Sequence, residues 1–213
     1  MYTPSHFDNR DLAAQHVLMR RHPFALLLTV HAGETHLTHL PFHLDATKGA
    51  SGTLEAHLAK VNPHCAAILA GAPSVVVFKG PDAYVSPRWY VDPAKNVPTW
   101  NYVAVHAHGT PRPVEEPAAL LALIGRLTDE HEAYIERPWS IREAGSYTDR
   151  LVNHIVGFEL PIERIEGKFK LSQNRSEGDR AGVLREFAKS RDPGVSEMLE
   201  LMRGLYAEDG KSL

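Results

Sequence analysis

Between residues 24 and 113, short apolar runs are cut by turn residues so often that little helix fits between them, and this spacing governs what the chain can fold into. The runs fall at 24–30, 35–45, 53–58, 74–79, 83–86 and 102–109. Ala32-Gly33-Glu34, residues 48–52 and Gly80-Pro81-Asp82 supply turn chemistry between them. The first two runs read as a hairpin, 74–79 (SVVVFK) as a buried strand, and the set as an antiparallel barrel.

Helical signals flank this block and interrupt it once. Asp8 or Asn9 can cap a helix over 11–21, which His22-Pro23 ends. Asn62 can cap a second over 65–70, with Pro63 at its first position, where a missing N–H costs nothing. From 115 to 136, Leu120, Leu121, Leu123, Ile124, Leu127, His131 and Ile135 fall on one face behind the acidic pair Glu115-Glu116. Residues 139–147 read as a loop or short helix, 156–160 and 162–166 as strands, and 168–174 as a polar end. A charged helical tail follows from 177 to 213, with Val183, Leu184, Phe187, Met198, Leu199 and Met202 as its apolar positions.

Composition excludes several functions. At 213 residues, 43% apolar and 23% charged, the chain is long enough to bury a sizeable core. A net charge of −3 without a long basic run leaves no phosphate-neutralising face for autonomous DNA binding. Cys65, the single cysteine, allows no internal disulfide and lies in an apolar run, so it reads as core. No apolar run nears the ~20 residues of a membrane span, and a cytoplasmic protein without a membrane partner is expected.

Chemistry concentrates in 79–113, where Trp89, Tyr90, Pro93, Pro98 and Trp100 sit between two strand runs. Such a connection either lines a ligand or caps the core with its tryptophans. Thirteen histidines invite a metal reading, with His106 and His108 on one strand face and His36, His39 and His43 along another. Without HExxH or a second cysteine they read as polar partners, and no metal site is expected. No GxSxG, GxGxxG or P-loop occurs. The helix start at Asn62-Pro63, with His57, Lys60 and His64 near in sequence, is either an anion site or a plain structural cap. Flat aromatics together with phosphate-capable groups suit a planar phosphorylated cofactor. Trp100 or Tyr90 could stack on its ring, backbone edges of 38–41 could meet its heteroatoms, and Lys60, Asn62 or Lys170 could hold its phosphate.

THLPF at 38–42, HLAKVNPH at 57–64, GPDAYVSPRWY at 80–90, NVPTWNYVAVHAHG at 96–109 and KLSQN at 170–174 resemble, in that order, the PaiB family of FMN-binding negative transcriptional regulators. The resemblance spans about residues 1–205. It implies a mainly β fold with peripheral helices: a six-stranded split β-barrel of the flavin-reductase and pyridoxamine-phosphate-oxidase type. It implies FMN as cofactor, held in clefts that both subunits of a homodimer build. The corresponding domain reading is a split barrel over 1–175, with an inserted helix at about 115–136, and a helical tail over 176–213.

By position, the main chain of Thr38, His39, Leu40 and Pro41 would meet the isoalloxazine edge, and His57, Lys60 and Asn62 would grip the phosphate. Trp100 and Asn101 would reach the flavin from the second subunit, and Lys170, Ser172 and Gln173 would close the cleft. Trp100 as an interface seal, and 172–174 as a strand-ending turn, are the structural alternatives. Three functions remain open: a regulator acting through redox state, a protein partner or DNA; a flavin-dependent oxidoreductase; and a haem-binding or haem-degrading split barrel in which one of His39, His57, His106 or His108 would ligate iron.

Overall fold

A computed structural model describes residues 1–208; the last five positions of the expected tail lie outside the described residues. The strands are β1 (Asp8–Asn9), β2 (Phe24–His31), β3 (Glu34–Pro41), β4 (His43–Asp45), β5 (Thr53–Ala59), β6 (Ser74–Val85), β7 (Thr99–Gly109), β8 (Arg112–Val114), β9 (Ile155–Pro161) and β10 (Arg164–Lys170). The helices are α1 (Leu12–Arg21), α2 (His64–Leu69), α3 (Pro117–Glu132), α4 (Ser146–Leu151), α5 (Glu177–Phe187) and α6 (Pro193–Glu208). One sheet has six strands in the order β1-β10-β7-β6-β2-β3, the other four in the order β4-β5-β9-β8. Neither closes on itself, as a split barrel requires.

Internal contacts divide the chain into two compact units. One comprises Asp11–Phe78 and Val105–Glu166; the other comprises Met1–Arg10, Lys79–Ala104 and the chain from Gly167 onward.

In the larger unit, β2 and β3 form the expected hairpin, paired from His31↔Glu34 to Phe24↔Pro41. Its two-residue turn places Ala32 at φ 51° and Gly33 at φ 82°. Two successive positive φ values match the right-handed twist of a hairpin, and glycine adopts one of them without steric cost. The expected strand 35–45 is broken at Phe42, so that Leu44 pairs with Leu54 in the four-stranded sheet. Phe42 is fully buried there, edge-on to Phe158 at 6.3 Å and to Phe78 at 5.9 Å. Of the helical face expected over 115–136, Leu120, Leu123 and Leu127 are buried, while Ile135 lies beyond the end of α3 and is exposed. Arg126 reaches from α3 to the buried Glu55 and donates two 2.8 Å hydrogen bonds to its carboxylate. This fork satisfies a charge that burial would otherwise make costly.

In the smaller unit, Asp8 and Asn9 pair with Lys168 and Gly167 as β1. They cap nothing: Asp11 caps α1 by accepting from the Ala13 N–H at 2.9 Å. The turn expected at Gly80-Pro81-Asp82 is absent, and β6 runs straight through it. β6 pairs with β2 only over Ser74–Val77, so Pro81 lies beyond that ladder and its missing N–H breaks no bond there. Trp89 stands edge-on to Phe187 at 5.8 Å, and Arg175 lies over the Tyr90 ring at 4.5 Å. Of the two readings of this connection, these two rings follow the structural one. All six apolar tail positions are buried.

Candidate functional site

The larger unit holds a chain of buried polar groups. His64, at the start of α2, bonds through Nε2 to Thr29 Oγ1 at 2.8 Å and through Nδ1 to Thr38 Oγ1 at 2.9 Å. Thr29 Oγ1 lies 2.6 Å from Ser74 Oγ, and Ser74 donates to the Ala72 carbonyl at 2.9 Å. That last bond fixes the direction of all the others. Ser74 spends its only proton on a carbonyl, so it must accept from Thr29; Thr29 then accepts from His64 Nε2–H. The neutral ring has no second proton, so Nδ1 accepts from the Thr38 hydroxyl. Asn62 completes the group: its Oδ1 accepts from the His64 N–H at 3.0 Å and its Nδ2 approaches Thr38 Oγ1 at 3.4 Å.

Burial, and then the His36 ring stacked 5.4 Å away, lower the His64 pKa from 6.5 to about 4. An unfolded chain takes up that proton near pH 6.5, the folded one only near pH 4. Between these values the unfolded state binds more protons, so stability rises with pH there and is lost as pH falls through the window. The loss for this group is about 3 kcal/mol. Urea unfolding at pH 7 and pH 4.5 is expected to show a difference that shrinks by about 2 kcal/mol in His64→Gln. An unchanged difference would assign the acid sensitivity elsewhere.

The three side chains expected to share a phosphate face different surroundings. Asn62 is engaged with Thr38 and His64. Lys60 is exposed beside a hollow of about 270 Å³ that Leu69, Pro113 and Asn153 also line. His57, its pKa lowered by burial, borders an apolar cavity of about 430 Å³ lined by Ile124, Trp139, Ile141 and Val152. α2 is six residues long, too short for a strong terminal dipole. Of 38–41, Leu40 is buried, Thr38 and Pro41 are half-buried, and His39 is exposed against Phe24, ring centroids 6.1 Å apart. β3 closes its end of the six-stranded sheet, so it has β2 on one side only.

The smaller unit presents aromatic rings and cations. Trp100 is 52% exposed and stands edge-on to the exposed Tyr84 at 5.9 Å. Two residues along β7, Tyr102 lies under Lys168 Nζ at 5.2 Å, and Lys168 donates to the Tyr2 carbonyl at 3.0 Å. Lys170 Nζ donates to Thr99 Oγ1 at 2.5 Å. Its pKa is lowered first by burial, then by the charges of Lys168 and Arg175. Arg175 donates to Asn96 Oδ1 at 2.6 Å. Among the described residues, none of these three cations forms an ion pair with a carboxylate. Lys168 is only 9% exposed, and a buried charge normally has a counter-ion.

Asn101, Ser172 and Gln173 are engaged internally. Asn101 Nδ2 donates to Ser172 Oγ at 2.9 Å, and both residues are buried. Gln173 accepts from the Leu171 N–H at 2.7 Å and donates to the Phe169 carbonyl at 2.5 Å, forming a strand-ending turn. Sequence reasoning missed Lys168, Arg175 and Tyr84; the spacing of Lys168 from Lys170 on one strand was the available signal.

An open two-sheet β fold that carries these features belongs to the split-barrel class, and solved structures agree. The chain is similar to the FAD and heme binding protein of Mycobacterium smegmatis, with a TM-score of 0.59 at 17% identity, covering 82% of this chain and 79% of that one. It is also similar to the flavocytochrome Anf3 of Azotobacter vinelandii, with a TM-score of 0.57 at 14% identity, covering 82% and 75%. Residues 1–164 match the family described as "Putative FMN-binding domain", and the chain belongs to that family. The protease synthase and sporulation protein PAI 2 of Bacillus subtilis is 30% identical over 204 residues, 95% of this chain and 96% of that protein. A protein of Emericella nidulans is 31% identical, covering 88% and 90%. The PaiB resemblance and its split-barrel expectation are thereby borne out.

Proposed function

We propose that this chain binds FMN as a homodimer and acts as a PaiB-type negative regulator, passing its signal through a protein partner. The cofactor reading rests on one observation: Lys168, Lys170 and Arg175, uncompensated by carboxylate, lie in the same unit as the exposed Trp100 face. A dianionic phosphate supplies the charge the cations lack, and an indole supplies a stacking surface for a flat ring. Within the larger unit, the one-sided pairing of β3 supports the reading that its main chain meets ring heteroatoms. His39, His57 and Lys60 remain candidates for contact; Asn62 and Gln173 each brace their local backbone, and Asn101 and Ser172 bond to each other.

The dimer reading rests on the outward face of β2 and β3. Phe24, Leu26, Leu28 and Val30 alternate with buried residues, and Leu37 stands opposite Leu28. Phe24, Val30 and Leu37 are each at least 59% exposed. So much apolar surface on a soluble sheet marks an interface, and a second copy of the chain can cover it symmetrically. Leu37→Glu is expected to shift sedimentation from dimer to monomer; a wild-type chain that already sediments as a monomer overturns this reading.

The choice of a protein partner over DNA is supported by the net charge of −3, which disfavours direct contact with a phosphate backbone. Titrating the purified protein with FMN and following flavin fluorescence tests the core of the proposal. Saturable quenching supports it. A Soret band in place of flavin absorption favours haem, rapid oxidation of reduced nicotinamide favours an enzyme, and unchanged FMN fluorescence overturns the proposal.

A further inference from the structure

Within the larger unit, His106 and His108 on β7 and Glu166 on β10 each offer one ligand atom, and the three atoms lie within 4.8 Å of one another. The two rings share a strand face two residues apart, with centroids 6.5 Å apart. His108 does have the polar partners expected of it: its Nε2 lies 2.8 Å from Glu166 Oε2, and Arg164 Nη2 lies 2.9 Å from its Nδ1. Arg164 Nη1 also lies 2.8 Å from Glu166 Oε2. His106 has no hydrogen-bond partner among the described residues. Neither nitrogen of this half-buried imidazole is committed to a neighbour, so both are open to a ligand.

We propose that His106, His108 and Glu166 form a site for a borderline divalent metal ion, of which Zn²⁺ is the representative, and that Arg164 occupies part of it when metal is absent. Two imidazoles and one carboxylate suit zinc and its neighbours, and leave at least one coordination position for water. Arg164 can only donate, so without metal His108 accepts at Nδ1 and gives its Nε2 proton to Glu166. When metal takes Nε2, the ring proton moves to Nδ1, where it opposes the guanidinium. Glu166 must also give up the Arg164 contact to ligate. The Arg164 side chain is 57% exposed and can swing into water. The ion therefore enters by displacing cationic contacts of Glu166, the Arg164 guanidinium among them, with no net change in ring protonation.

The test uses the full chain freed of any affinity tag, stripped with chelator and titrated with Zn²⁺ against a chromophoric competitor. One equivalent is expected to bind. His106→Ala should weaken binding at least 100-fold and Glu166→Gln at least tenfold, while Arg164→Gln should tighten it at least tenfold. Circular dichroism confirms that each variant is folded, and His106→Gln, closer in size, replaces the alanine variant if that one is not. Eleven other histidines provide the internal control. Zinc binding unchanged in the folded His106 variant, no binding by the wild type, or no tightening in Arg164→Gln overturns the proposal. The outcome is independent of whether FMN binds.

Discussion

Replacing Lys168 and Lys170 together with methionine is expected to weaken FMN binding about 100-fold. Each charge-assisted bond to a phosphate oxygen contributes about 1.5 kcal/mol or more, and a 100-fold change corresponds to about 2.7 kcal/mol. Methionine keeps most of the aliphatic stem while it removes the ammonium groups, and with them their contacts to the Tyr102 and Phe7 rings. Trp100→Ala removes one stacking face and is expected to cost five- to tenfold. Asn62→Ala should change affinity less than threefold, because Asn62 already bonds to His64 and Thr38. Isothermal titration of the folded variants checks the series. If the double lysine variant bound FMN as tightly as the wild type while Asn62→Ala lost affinity, the phosphate would have been assigned to the wrong unit.

Gly182→Val is expected to destabilise the smaller unit by several kcal/mol. A Cβ at this position would stand 1.9 Å from the Trp89 carbonyl oxygen, and that oxygen belongs to backbone, which has little freedom to yield. A better helix former at this point would gain at most about 1 kcal/mol, far less than the overlap costs. Relief requires α5 to lift from the Pro87–Trp89 turn, which breaks the Trp89–Phe187 contact and the 2.8 Å bond from the Val91 N–H to Asp179. Tryptophan fluorescence during urea unfolding should report an earlier transition. A variant as stable as the wild type would mean that helix and turn are not closely packed.

The sequence carried the fold well where local chemistry and long-range pairing agree. The β2–β3 hairpin was legible because apolar runs flank a two-residue turn, and α3 because its apolar positions repeat at helical spacing. It failed where pairing partners override local signals. Pro81 reads as a turn, but beyond Val77 no β2 ladder opposes it and the strand continues. Phe42 reads as strand interior, yet there the chain moves from one sheet to the other, a change that no period-2 pattern announces. β1 and β8, two and three residues long, exist only because distant strands pair with them.

The candidate site was legible in its residue types more than in its arrangement. Lys170 and Trp100 were found because cations and aromatics stand out in sequence. Asn101 and Ser172 looked like ligand contacts because the motifs contain them, but only three-dimensional pairing reveals that they bond to each other. Arg175 and Lys168 belong with Lys170 through the strand face and the turn after it, and that grouping depends on the fold.

The hydroxyl of Thr38 is committed before any visitor arrives. Because Ser74 gives its hydrogen to the Ala72 carbonyl, Thr38 must give its own to His64, and beyond the approach of Asn62 Nδ2 it has only acceptor capacity to offer outward. A phosphate oxygen would meet those lone pairs as a rival, whereas an N–H at the rim of a heterocycle would be welcomed. At this hydroxyl, polarity alone favours a donor over a phosphate oxygen.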